Sequence, residues 1–217
     1  MKKMLLLLLL IPTLTFGARK EANVVNFTGT VMGYNMNKTA QSLLELHQDL
    51  PKETNIVLKV NSPGGRVFAG FVLMNTMKAI QGEGRKIEVR VTGLCASMCF
   101  SFLQQADIRT MYPYSLIMQH KVSPTGKGAR SLDALIEKVE ADRIGLKSEY
   151  WALISEANIY VGPAEAVKLN LIDSVATPSI AEVSVFIDEH KRNHRRLNVH
   201  LYKIDRIIKD NLDGIKK

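Results

Sequence analysis

Three short stretches of this sequence carry residue types that do chemistry together. Ser97 lies in Gly93-Leu94-Cys95-Ala96-Ser97-Met98-Cys99, where a predicted strand passes into an apolar helix. A hydroxyl at such a turn projects toward the first N–H groups of the helix, which stabilise developing negative charge. Ser97 is thus a candidate nucleophile and the Met98 N–H a candidate oxyanion donor. The competing reading is a serine that caps the helix. A serine hydroxyl needs a neighbouring base to become nucleophilic, and His120, near the end of "SLIMQHKV", is the candidate. Taken alone, a histidine beside an apolar strand is more often structural. The third stretch is Asn61-Ser62-Pro63-Gly64-Gly65. Consecutive glycines after a strand reach φ > 0 and bring bare N–H groups close to a ligand, so Gly64 and Gly65 form either a simple turn or an oxyanion cradle.

These residues need elements that bring them together. Alternation in "NVVNFTGTV" (23–31) predicts a strand, and the Leu43, Leu44, Leu46 and Leu50 spacing predicts a helix closed by Pro51. Strands at 55–60, 86–91 and 115–122 alternate with helices at 66–80 and across "CASMCFSFLQQA". Residues 132–154 read as the longest helix, followed by a short helix at 163–169 and a strand at 171–175. Each chemical stretch ends a predicted strand. Repeated strand and helix with short connections predicts an α/β fold of parallel crossover units.

The order NSPGG, then G-x-x-A-S-M at a strand end, then His120, then "GPAEAVKLNLID" resembles the proteolytic subunit of the Clp protease. It is more closely similar to exported Clp-protease-like proteins whose serine lies between two cysteines, as in "CASMC". The resemblance covers roughly residues 24–176 and implies a crotonase-like α/β fold of stacked ββα units. It also implies a serine peptidase with Ser97 as nucleophile, His120 as general base, and Gly65, with Gly64, and Met98 as oxyanion donors. No cofactor is implied. The position matching the family's triad Asp is Asn158, with Glu156 and Asp173 as nearby alternatives. Asparagine can orient an imidazole but cannot stabilise imidazolium as a carboxylate does. Asp173 belongs to "LIDS", whose Asp the family keeps for structure. The segment from His120 to Asn158 is shorter than in the Clp subunit, where it forms the ring-to-ring handle. An acyl-CoA enzyme, which the fold also hosts, and a non-catalytic binding or scaffold protein are the other classes to weigh.

Cys95 and Cys99 flank Ser97. Within a regular helix, Cβ atoms four residues apart sit about 5–6 Å from each other, beyond the roughly 3.5–4.5 Å that a disulfide prefers. A bond therefore requires Cys95 to lie ahead of the first helical turn; otherwise the pair are two buried thiols.

The chain has 217 residues, 46% hydrophobic and 23% charged, which argues against a disordered, collagen-like or coiled-coil protein. Lys2 and Lys3 precede an apolar run from Met4 to Ile11 and then Thr15, Gly17 and Ala18, the order of a secretory signal peptide spanning 1–18. The run is shorter than the roughly 20 residues of a membrane span. The expected organisation is a signal, a domain over 19–178 and a basic extension over 179–217, in a periplasmic or secreted protein. Net charge is +8, and residues 188–217 hold nine Lys or Arg against five Asp or Glu. Export makes nucleic acid the least suitable partner and removes an ATP-driven partner. A peptide or unfolded segment is the expected substrate, and a homo-oligomer the expected assembly. Ile204, Ile207, Ile208, Leu212 and Ile215 mark one stripe of a basic amphipathic helix that fits docking on the domain, on another protomer or on a membrane surface. His190 and His194 have helical metal-ligand spacing but no third ligand, so no metal site is expected.

Overall fold

The computed structural model describes residues 22–121 and 129–183. The signal segment, the tail helix with its apolar stripe, and His190, His194 and His200 lie outside the described residues. The chain divides into two units, Glu21–Pro178 and a second of which residues 179–183 are described. In the first, β1 (Val24–Thr28), α1 (Gly33–Asp49), β2 (Ile56–Ser62), α2 (Val67–Gly82), β3 (Ile87–Ala96) and α3 (Met98–Leu103) form the leading half. Then come β4 (Ile108–Met111), β5 (Leu116–Gln119), α4 (Ala129–Ile144), α5 (Ser148–Glu156), β6 (Ile159–Val161), α6 (Pro163–Lys168) and β7 (Ser174–Val175).

The architecture is the α/β one expected, with the strands in one sheet. The path β1-β2-β3-β4-β7 is parallel throughout, as helical crossovers require. β2 is a near-continuous apolar run, Ile56, Val57, Leu58 and Val60, all buried, which marks a central strand covered on both faces. Leu43 and Met36 of α1, Leu73 and Met77 of α2, and Phe102 of α3 complete the same core. Phe102 meets Phe27 edge-on with ring centroids 6.3 Å apart.

The sheet forks at β3. Its first half pairs with β4, from Glu88 with Ile108 to Val91 with Met111. Its second half leaves β4 and pairs with β5, from Leu94 with Leu116 to Ala96 with Met118. β6 adds to β5 in the antiparallel sense.

Four sequence expectations differ in detail. Cys95 and Ala96 belong to β3 and not to the following helix, because their amide neighbours are strand partners in β2 and β5. The 132–154 helix is two helices, interrupted at Gly145, whose φ of 87° is a conformation that glycine adopts without strain. β4 and β6 are additional strands, of four and three residues. The strand expected over 171–175 contracts to Ser174–Val175.

Candidate active site

Strand register assembles the three stretches. Ser62 pairs with Cys95, and the Leu94 N–H donates to Asn61 Oδ1 at 3.0 Å, which ties the NSPGG segment to the serine turn. On the other side Ala96 pairs with Met118, and the Ser97 N–H donates to the Met118 carbonyl at 2.8 Å. Two residues later, His120 Nε2 lies 2.9 Å from Ser97 Oγ. Ser97 sits at φ 54°, ψ −125°, a sharp turn between β3 and α3 that a non-glycine residue holds only where its surroundings force it. One constraint is the Cys95–Cys99 disulfide, which spans that turn with Cα atoms 5.1 Å apart. Cys95 lies ahead of the helix, as the bond requires.

A cavity of about 270 Å³ opens at this pair, lined by Gly65, Val67, Met98, Ser101, Gln119 and Ile136 among others. Met98 is the first residue of α3, so its N–H has no partner within the helix. The Met98 and Gly65 amides have no acceptor among the described residues. Gly64 differs from the expectation that it shares the oxyanion role. Its N–H is occupied by Ser62 Oγ at 3.1 Å. Gly64 instead permits close approach: at φ 86°, a Cβ there would stand 2.7 Å from Ser97 Cβ and 3.1 Å from the Met98 nitrogen.

The candidates for backing the imidazole separate clearly. Asp173 accepts from Arg109 at 2.7 Å and from Arg143 at 3.3 Å. Burial raises its carboxyl, but these hydrogen bonds outweigh that and leave it below the usual range. Glu156 is held by Lys121 at 2.7 Å. Both acids are therefore engaged away from His120. Asn158 has φ 50° and is exposed. The antiparallel register that pairs Gln119 with Ile159 sets it next across from His120. Among the described residues, no hydrogen bond joins its side chain to the ring. Asn170, just past α6, has φ 54°, the left-handed conformation that asparagine takes at helix ends, and donates its side-chain amide to the Ile144 carbonyl at 2.7 Å.

Sequence reasoning missed Glu140. This fully buried carboxylate accepts from Ser101, Gln119 and Trp151, two of which line the cavity. Burial pushes its carboxyl up to about 7, with the three donors pulling the other way. The signal was present: Glu140 falls four residues from both Ile136 and Ile144, on the apolar stripe of its helix. No group of three His, Cys, Asp or Glu among the described residues is placed to hold a metal.

An elbow serine, a histidine in contact and two cavity-lining residues whose amides have no acceptor among the described residues make a site suited to acyl transfer. Residues 16–179 match the model of the Clp protease family, and the chain belongs to that family, which places it among the peptidases. It is 28% identical over 149 residues to an ATP-dependent Clp protease proteolytic subunit of Cuscuta gronovii, covering 61% of this chain and 72% of the relative. It is 29% identical over 153 residues to ATP-dependent Clp protease proteolytic subunit 1 of Prochlorococcus marinus strain NATL2A, covering 64% of this chain and 76% of the relative.

Proposed function

We propose that the protein is an exported, ATP-independent serine endopeptidase acting on peptides or unfolded segments, and that it works as a homo-oligomer. The observation that carries this is the 2.9 Å contact between Ser97 Oγ and His120 Nε2, both of which line the cavity. In this reading His120 takes the hydroxyl proton as Ser97 Oγ bonds to the scissile carbonyl carbon. The oxygen, now negative, is received by the Gly65 and Met98 amides. His120 then gives the proton to the leaving nitrogen as the C–N bond breaks, leaving an acyl-serine. Water repeats the sequence and releases the acid. Export is supported by Lys2, Lys3 and the apolar run after them, and separates the enzyme from ATP and CoA.

A fluorophosphonate probe is expected to label wild-type protein at Ser97, and Ser97→Ala to abolish both labelling and peptide cleavage. Unlabelled, folded wild-type protein would overturn the assignment. A second reading, a binding or scaffold protein with an idle site, draws on Asn158 in place of a carboxylate. Asn158→Asp separates the two. A working but attenuated site gains roughly tenfold or more in activity from a carboxylate behind the imidazole, whereas an idle one gains nothing.

A further inference from the structure

Glu140 is the buried carboxyl that this chemistry leaves unassigned. Its side chain is inaccessible to solvent, and apolar residues of similar volume stabilise a core as well as or better than a buried carboxylate does. Stability alone therefore does not call for it. What it touches does. Glu140 Oε1 accepts from Ser101 Oγ at 2.7 Å and from Gln119 Nε2 at 2.7 Å. Oε2 accepts from Gln119 Nε2 at 2.8 Å and from Trp151 Nε1 at 2.6 Å.

Each donor leads to the reacting atoms. Ser101 lies one helical turn beyond Ser97, and its N–H donates to the Ser97 carbonyl at 3.2 Å. Gln119 immediately precedes His120 and pairs with Ile159 at the end of β5. Trp151 stacks on Phe100 of α3 with centroids 5.8 Å apart. Both Glu140 oxygens accept from the Gln119 Nε2, which turns the amide NH₂ toward α4 and ties down the strand end that bears the imidazole. The bonds converge from α3, β5 and α5 on one residue, and no carboxylate touches His120 among the described residues.

Resting on the peptidase reading above, we infer that Glu140 is the positioning residue of this active site. It locks the helix that carries Ser97 and the strand that carries His120 into one unit, a task that the usual triad acid shares and that Asn158 here leaves open.

The test uses the full chain and a fluorophosphonate probe, with the maximal labelling rate separated from half-saturation and thermal unfolding recorded alongside. Glu140→Ala and Glu140→Gln are each expected to unfold cooperatively and to lose roughly tenfold to a hundredfold in maximal rate, with half-saturation little changed. The double variant Glu140→Gln with Gln119→Glu reverses the polarity of the pair and is expected to recover most of that loss. Single variants that label at the wild-type rate, or a double variant no better than Glu140→Gln, would overturn the inference. Should wild-type protein itself fail to label, the peptidase reading falls. Positioning is then judged by the His120 side-chain ¹⁵N resonances, which must shift in Glu140→Ala if Glu140 holds the ring against Ser97 and stay unmoved if it does not.

Discussion

A carboxylate buried as fully as Glu140 writes itself into the pH dependence of stability. Its folded value is raised from 4.5 to about 7, mainly by burial. Between those values the folded protein holds a proton that the unfolded chain has released. Stability from this group is therefore fully present at low pH and is lost as pH rises toward 7, by on the order of 3 kcal/mol. The groups facing it from α3, β5 and α5 are the neutral Ser101, Gln119 and Trp151, and on its own helix Glu137 adds a second carboxylate raised by burial and opposed by Lys121. Denaturant titrations at pH 5 and pH 8 are expected to show wild type losing this increment relative to Glu140→Gln. Equal slopes in the two proteins would show that the carboxyl does not titrate there. Gly64 makes a second residue-scale case. Gly64→Ala puts a Cβ against the Ser97 turn at a backbone angle that L-residues avoid, and is expected to depress Ser97 labelling far more than Gly65-distant surface changes such as Lys38→Ala do.

At the scale of elements, the site depends on where strand gives way to helix. The disulfide joins the end of β3 to the first turn of α3 around Ser97. Closing so short a loop stabilises by about 2 kcal/mol in the chain-entropy view. The paired change Cys95→Ser with Cys99→Ser is thus expected to lower the thermal midpoint and slow probe labelling, measured under non-reducing conditions; an unchanged labelling rate would show that the turn is held without the bond. The sequence made much of this legible. Ser97, His120 and the NSPGG turn are readable because each follows a predicted strand, the apolar run 55–60 and the alternating 86–91 among them. Elements of three or four residues such as β6 and β4 carry too few positions for a period to register, and "CASMC" is apolar on both sides of Ser97, so alternation cannot say where β3 ends. Glu140 hides in "IEKVEADRI", where charges on every side suggest a solvated face and only the four-residue spacing from Ile136 and Ile144 betrays its burial. The occupied Gly64 amide was beyond reach, since it depends on the Ser62 rotamer.

For the molecule as a whole, several large apolar side chains face outward, among them Phe68 on α2 at 70% exposure and Leu153 on α5 at 64%. Surfaces of this kind suit contact between copies. Sedimentation is expected to find a species several times the 24.2 kDa chain mass, and Phe68→Asp or Leu153→Asp to reduce it; a monomeric wild type would remove the assembly from the proposal. Cell fractionation with N-terminal sequencing addresses export in the same preparation, the expected product lacking residues 1–17 or 1–18.

Arg109 carries one more consequence. Its guanidinium, without solvent exposure, is satisfied by Gln104, by Asn170 and by Asp173, the last 64 residues further along the chain. Ser97 and His120 are both synthesised well before those later partners. Until Asp173 is made, burying Arg109 against β4 would leave an uncompensated cation, at a cost of roughly 3–5 kcal/mol, and the edge place of β7 beside it is unfilled. The site is thus expected to form only once the chain has been made past Asp173: ribosome-bound chains that expose residues only up to 160 should stay inert to the probe, while those exposing residues through 183 should react.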